Sequence, residues 1–451
     1  MAHRIVVLAA LVILASCGEE AAVERPGKAG VAVAPATASP VPSHAAIAPA
    51  TNTPARPPVP DTHTEPAAVL PATSVPAASR EEPVRSDPDT ATSEKRRIVA
   101  ARPGDPLRFT RVRGIDRDGI GVEAFSLLAP TGWRFTGGVF WPLRNPGMPG
   151  NLTYKVTSPD GAAQLQVFPT LAYVWMDDRT LLRHFPLGSN HLGSEVHPPL
   201  GPLEVLRDIV VPRYRRDAVE PRELEAKPIA GLARRLAGTG PLPPGGAAAL
   251  RGARLRIEYR LDGHLVEEEF HAAVEKQTAP APTSEGVALA THWIVSYLFA
   301  FRAPRGRLAD YRDTFEAMVR SFRIHPRWFN KYNQLIALSV ANKVPDLDGP
   351  AGIRKVLADS DEALSDAMLR AWQQQNATYN RLLDAFVQSV RGVETYADPA
   401  CHDPVRLPAG CERAWGNGRG DYVATRNPDY DPNAALEGEW TPLRLQPAAR
   451  H

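Results

Sequence analysis

The stretch RLRIEYRLDGHLVEEEFHAAVE, residues 254–275, carries the clearest structural signal in this chain. Apolar and polar residues alternate on both sides of Asp262-Gly263, which is the period of a β-strand with one buried face. An Asp-Gly pair is favoured in two-residue hairpin turns because both turn positions require positive φ angles. The stretch therefore predicts a β-hairpin that turns at residues 262–263.

Strand-like segments flank this hairpin on both sides. Residues 122–130 and 291–304 are predicted as strands, and residues 151–169 as a second hairpin with its turn at Ser158-Pro159-Asp160-Gly161. Helical periodicity is present over residues 203–210 and 308–322. Runs of strands broken by isolated helices predict an α+β fold in which helices flank an antiparallel sheet.

A helical region and a turn-rich tail follow. Residues 326–342 and 361–391 have apolar residues at helical spacing, which predicts a helical hairpin within a module over residues 326–392. The polar block 373–376, with sequence QQQN, interrupts the apolar stripe of the longer helix. Buried amides need hydrogen-bond partners, so this block is expected to face water or complementary polar groups. Residues 393–451 predict short strands and turns.

The first twenty residues have the composition of an export signal. His3 and Arg4 form a short positive region, and residues 5–14 are an unbroken apolar run. A membrane-spanning helix needs roughly 20 such residues, so the run suits the apolar part of a signal peptide better. The run ends in LASC, residues 14–17, which resembles the lipobox of bacterial lipoproteins at every position.

The lipobox resemblance implies that a signal peptide over residues 1–16 is removed and that Cys17 carries a diacylglycerol thioether. It also implies an acylated amino terminus, and several acyl chains matter because one chain binds a membrane only marginally. Gly18 stands where an aspartate would be an inner-membrane retention signal, which favours the outer membrane with the folded part in the periplasm. The alternative is an ordinary secretory signal with an unrelated cysteine.

Residues 17–97 have the composition of a tether. The segment is rich in Ala, Pro, Thr and Ser, and residues 21–97 contain no aromatic side chain. Such a segment cannot bury enough apolar surface to offset its ordering entropy, so it is predicted to be disordered. It would hold the folded part away from the membrane.

The element order over residues 98–325 resembles that of the PsbP-like α-β-α sandwich. The resemblance rests on that order, on the turn formed by Pro130, Gly132 and Trp133, and on the closing phrase SFRI at residues 321–324. It implies a binding and assembly scaffold and brings no catalytic motif. Residues 173–200 are an insertion without a place in this pattern. The tail over residues 393–451 is similar to C-terminal modules of uncharacterised bacterial proteins.

Cysteine usage predicts one disulfide. If Cys17 carries lipid, Cys401 and Cys411 remain, ten positions apart, in an oxidising compartment where disulfides persist. His402 beside this pair offers too few ligands for a zinc site. No metal and no cofactor is predicted.

Charge and motifs exclude several functional classes. Lys and Arg number 52 against 50 Asp and Glu, so the chain lacks the basic field of a nucleic-acid-binding protein. The sequence has no zinc-protease, nucleophile-elbow, phosphate-loop or dinucleotide-binding motif. No catalytic residue is predicted.

The sequence thus favours a non-enzymatic outer-membrane lipoprotein that acts as an interaction or assembly factor. Its partners would be the membrane, through the lipid anchor, and an envelope protein. Trp372 and Tyr379, on the longer predicted helix, are the candidate partner-binding residues if they are exposed; intramolecular packing is the alternative.

Two other functions stay open. One is a hydrolase of envelope polymers whose site is assembled from dispersed residues. The other is a small-ligand binding module with an aromatic groove from Trp133, Trp141 and Trp175. A pocket with convergent carboxylates would favour the hydrolase, a dry apolar cleft the ligand binder, and an exposed apolar patch the assembly factor.

We expect Cys17→Ser to abolish lipidation and normal processing, because serine has no thiol to form the thioether. Metabolic labelling with a clickable fatty acid measures the attached lipid, and Cys411→Ser is the control that should keep full label. Label retained by Cys17→Ser would contradict the lipobox assignment.

Overall fold

The computed structural model describes residues 105–237, 249–283, 286–340, 349–357, 366–386, 393–400 and 404–446. All of them belong to one compact unit. The predicted signal peptide, Cys17, the tether and Cys401 lie outside the described residues. In the described part of the chain, no helix has the length and apolar character that crossing a membrane requires.

The hairpin of residues 254–275 is confirmed. Strands β10 (Leu250–Leu261) and β11 (His264–Thr283) pair antiparallel, with Leu261 opposite His264. Asp262 and Gly263 have φ angles of 49° and 79°, the positive values that this two-residue turn requires. Both strands continue well beyond the quoted stretch.

These strands lie inside a sheet with the order β3-β4-β5-β12-β11-β10-β9, and β6, β7 and β8 extend it beside β12. The hairpin predicted over residues 151–169 is confirmed as β4 and β5. The remaining strands of this sheet are β3 (Arg134–Phe140), β4 (Asn151–Thr157), β5 (Gln164–Val167), β6 (Leu171–Met176), β7 (Asn190–His191), β8 (Ser194–Val196), β9 (Val219–Ile229) and β12 (Gly286–Pro304).

The C-terminal tail completes a second sheet, with the order β13-β2-β1-β17-β16-β18. Leu107 at the start of β1 pairs with Ala424 of β17, so the two ends of the described chain meet. A third sheet has the order β15-β14-β19. The strands of these two sheets are β1 (Leu107–Ile115), β2 (Glu123–Pro130), β13 (Arg323–Ile324), β14 (Val393–Ala397), β15 (Val405–Pro408), β16 (Arg413–Gly416), β17 (Asp421–Thr425), β18 (Thr441–Pro442) and β19 (Arg444–Leu445).

Helices pack on these mostly antiparallel sheets, which confirms the α+β class. The helix predicted over 203–210 is confirmed as α2 and extended at its C-terminal end, and that over 308–322 is confirmed as α4. The helices are α1 (Arg179–His184), α2 (Pro202–Glu204, a π-helical segment Val205–Val210, and Val211–Tyr214), α3 (Leu232–Ala237), α4 (Arg312–Ser321), α5 (Pro326–Val340), α6 (Gly349–Leu357), α7 (Asp366–Phe386) and α8 (Pro432–Ala435).

The apolar core crosses the predicted boundary between residues 325 and 326. Phe125 of β2 and Leu335 of α5 belong to one buried cluster with Phe386 of α7. Helix α7 contacts α5, as a helical hairpin would, but it also packs on α3 and β10. Arg381 of α7 donates to the Leu236 carbonyl at 2.9 Å. The helices of the C-terminal region therefore share their core with the sheet.

A buried ion pair fixes the end of α2 to the sheet. Arg215 donates through Nε to Glu268 Oε2 at 2.6 Å and through Nη2 to the other carboxylate oxygen. Tyr259 Oη donates to Glu268 Oε2 at 2.6 Å, and Arg215 Nη2 also donates to Gln166 Oε1 at 2.9 Å. Burial alone would lower the pKa of Arg215, but Glu268 outweighs that effect and raises it. The pair joins helix α2 to β5, β10 and β11.

We expect Arg215→Met to lower the free energy of unfolding by about 3 to 5 kcal/mol, because it leaves the Glu268 carboxylate buried without its countercharge. Urea denaturation measures the change. Arg207 and Glu223 form an ion pair with both side chains 42% exposed, so Arg207→Met is the matched control and should cost about 1 kcal/mol or less. Equal losses in the two variants would contradict the assigned role of the buried pair.

Candidate ligand-binding cavity

A cavity of about 210 Å³ lies between β12 and the helices α5 and α7. An engineered apolar cavity of about 150 Å³ binds benzene, so the volume is sufficient for a small organic group. Most of the wall is apolar. Its larger apolar side chains include Leu152, Phe168, Ile294, Phe299, Phe322 and Trp328.

The cavity exists because β12 changes its pairing partner. On one edge of β12, β5 pairs with Phe299–Arg302 and β6 pairs with Ala290–Val295. Residues 296–298 lie between these two ladders, where Phe168 N donates to the Leu298 carbonyl at 2.9 Å. On the other edge, the register with β11 shifts at the same place, so β12 has one extra residue there.

The extra residue redirects a side chain into the cavity. Tyr297 has a φ of 50°, a left-handed conformation that is strained for a bulky residue. A β-bulge of this kind re-aims side chains, and Tyr297 lines the cavity. Burial raises the pKa of the Tyr297 hydroxyl, and its Oη atom has no hydrogen-bond partner in the described part of the chain.

A few polar groups converge on the apolar wall. Ser296 Oγ is buried, lines the cavity and has no hydrogen-bond partner in the described part of the chain. The amides of Gln375 and Asn376 also line it, whereas Gln373 and Gln374 on the same helix are exposed. Of the four residues in the polar block 373–376, two therefore face water, as expected, and the other two lie beside the polar groups of the cavity. An apolar pocket with a few convergent polar groups is the usual form of a small-ligand site.

Trp372 and Tyr379 both point toward the body of the chain. Trp372 Nε1 donates to the Ile324 carbonyl at 2.7 Å, and Tyr379 Oη donates to the Val319 carbonyl at 3.3 Å. Both side chains are half-buried, and Tyr379 lines the cavity. These contacts favour the intramolecular packing alternative over a partner-binding role for the two residues.

The three tryptophans of the predicted aromatic groove lie apart. Trp133 and Trp141 stand before and after β3, about 26 Å apart along an extended strand. Trp141 donates to Asp116 Oδ1 at 2.9 Å, and Trp175 lies on β6 opposite Thr291. None of the three is among the residues lining the cavity. The tryptophan that does line the cavity is Trp328, for which the sequence predicted a position in a helix but no role in the groove.

A second cavity, of about 360 Å³, lies over the adjoining part of β12 and β6. The segment over residues 173–200, which had no place in the predicted fold, forms one of its walls, and Leu182, Phe185 and Leu192 are among its lining residues. His191 and His292 also line it. Burial lowers the pKa of His292, and the neighbouring His191 lowers it further.

A buried Glu–His pair lies elsewhere in the core. Glu269 Oε1 and His271 Nε2 are 3.0 Å apart, beside a void of about 30 Å³ that also touches Arg254. Burial alone would raise the pKa of Glu269, but His271 and Arg254 lower it to about 2. A void this small holds about one water molecule, so it is too small for an organic substrate.

Cys411 is half-buried against the core of the C-terminal sheets. Burial raises the pKa of its thiol to about 11 when it is reduced. Because Cys401 lies outside the described residues, the Cys401–Cys411 disulfide stays a prediction.

No protein-family model matches this chain, and no curated protein sequence matches it.

Glu275 lies opposite Ile294 in the β11–β12 ladder, next to the cavity wall. Burial raises the pKa of its carboxyl to about 7 from 4.5. Between these two values the folded state holds a proton that the unfolded state has lost, so stability falls as the pH rises through this window.

We expect the free energy of unfolding of Glu275→Gln, relative to that of the wild type, to increase by about 2 kcal/mol as the pH rises from 5 to 8. The reason is that glutamine cannot ionise, whereas the wild-type carboxyl does. Urea unfolding at pH 5, 6, 7 and 8 measures the difference. Glu223→Gln is the control. Arg207 lowers the pKa of Glu223, so the contribution of this carboxylate to the free energy of unfolding is constant over this pH range. A pH-independent difference for Glu275→Gln would contradict the assigned burial of this carboxyl.

Proposed function

We propose that this chain is a non-enzymatic, lipid-anchored envelope protein that binds a small apolar ligand in the cavity between β12 and α7. The observation that carries the proposal is the chemistry of the wall, which is apolar apart from a few uncharged hydrogen-bonding groups. Among the described residues, no carboxylate lines this cavity or the second one. The hydrolase alternative therefore lacks a carboxylate pair at either place.

The cellular setting of the proposal rests on the sequence. The lipobox at residues 14–17 supports lipidation of Cys17, and Gly18 supports the outer membrane with the folded part in the periplasm. We propose in addition that the α+β fold consists of a PsbP-like sandwich followed by a helical hairpin. It is supported by helices packed on antiparallel strands and by the contact between α5 and α7.

The polar groups indicate what kind of ligand the cavity would hold. Ser296 offers a buried hydroxyl, and Gln375 and Asn376 offer amides, so one small polar end of a ligand could be hydrogen-bonded. Among the described residues, no lysine or arginine lines this cavity, so the described wall has no countercharge for an anion. The fitting ligand has an apolar body and one uncharged polar end.

The interaction or assembly role remains the second candidate, and one observation favours it. Val287 and Leu289, near the tip of the long β11–β12 hairpin, are 76% and 59% exposed. Exposed apolar side chains near the end of a hairpin are suited to burial against a protein partner. This role requires no ligand in the cavity.

The experiment uses the full chain with the substitution Cys17→Ser, because a chain without the lipid anchor needs no detergent. We expect it to bind benzyl alcohol, measured by isothermal titration calorimetry. Ser296→Leu should lose at least tenfold in affinity, because the larger side chain fills the cavity. It should not destabilise the fold, since it also removes an unpaired buried hydroxyl.

Ser296→Ala is the matched control, because it removes the hydroxyl and leaves the space. Its affinity should lie between those of the wild type and Ser296→Leu. Absence of binding to the parent chain, or wild-type affinity in a folded Ser296→Leu, would contradict the proposed function.

A further inference from the structure

We infer that the two cavities form one tract for a single straight alkyl or acyl chain with a small uncharged polar end, and that Ile294 separates its two halves. The inference rests on the proposed ligand-binding function. Ile294 lines both cavities. The loop before β4 borders both as well, with residues 145–147 at the larger cavity and Met148 and Gly150 at the smaller one.

The packing of Ile294 fits a movable partition. The residue is only 5% exposed, yet it belongs to none of the four apolar clusters of the described core. Its neighbour on β6 is Ala172, a small residue that lines the larger cavity. A side chain with empty volume on two sides is displaced at a lower cost than one in a close-packed interior.

The shape of the tract favours a linear ligand. Its lining residues on β12 run from Ala290 to Phe299, which is roughly 30 Å of extended strand. A ring system would occupy only one of the cavities, whereas a straight chain can pass the Ile294 constriction and fill both. The described residues that line the larger cavity also include no carboxylate, lysine or arginine.

The two ends of the tract differ in a way that orients the ligand. Ser296 and Gln375 would hydrogen-bond the polar end in the smaller cavity. The chain would then run past Ile294 toward Leu192, which lines the larger cavity and is 74% exposed, so this cavity opens to solvent there. The ligand class is a fatty alcohol or a protonated fatty acid.

The test is a length series of straight-chain alcohols from hexanol to dodecanol, titrated into the full chain carrying Cys17→Ser at concentrations below their aggregation limits. We expect the dissociation constant to fall by up to about fourfold for each added methylene, without a plateau before dodecanol. A plateau near hexanol would overturn the single tract and leave the proposed function intact. Absence of hexanol binding would overturn the proposed function itself.

Ile294→Trp should block the passage between the halves. We expect its hexanol affinity to stay within threefold of the parent chain, and its dodecanol affinity to fall to that of hexanol. Val287→Trp, on the same strand but 76% exposed, is the matched control and should keep the whole length series.

Two further variants keep the test decisive if Ile294→Trp does not fold. Ala172→Leu narrows the passage from the β6 side and should produce the same plateau. Ile294→Ala opens the passage and should bind dodecanol at least as tightly as the parent chain. A folded Ala172→Leu or Ile294→Trp that keeps the full length dependence would overturn the inference.

Discussion

The buried ion pair between Arg215 and Glu268 is the constraint on which the arrangement of the sheet depends. A buried carboxylate needs a countercharge and further hydrogen bonds, and Glu268 has both because Arg215 and Tyr259 converge on it. Few ways of docking α2 on the strands satisfy all these groups together. The Arg215 guanidinium also lies 5.3 Å from the centre of the Phe168 ring, and Phe168 is part of the cavity wall. The ion pair thus positions one side of the candidate site.

The cavity follows from an irregularity in an otherwise regular strand. β12 is paired along most of its length, but its partner on one edge changes from β5 to β6 at residues 296–298. An extra residue at the same point leaves Tyr297 in a left-handed conformation. Strain of this kind persists only where the surrounding structure imposes it, and here it directs an aromatic side chain and a serine hydroxyl into an apolar space.

Charged groups stabilise the core of this molecule, whereas the proposed binding site is lined by uncharged residues. Glu268, Glu269 and Arg215 are buried and paired within the core, and the described lining of the two larger cavities contains no carboxylate, lysine or arginine. An apolar ligand entering such a space loses no hydration of charged groups, and its affinity comes from the apolar surface that it buries. A surface that recognises a protein partner would lie elsewhere, and among the described residues the exposed side chains of Val287 and Leu289 on β12 are candidates for it.

Local patterns in the sequence were sufficient for the elements whose stability is local. The Asp262-Gly263 turn, the alternation on its two strands and the spacing of α4 were all predictable, because turn geometry and the period of one buried face depend on neighbours in the chain. The cavity was not predictable, because it is formed by residues from β4, β12, α5 and α7 and by a partner change that depends on pairing between distant strands. The same holds for Trp372 and Tyr379: their spacing placed them on one helix stripe, but only the packing of that helix on the sheet decided that both donate hydrogen bonds inward.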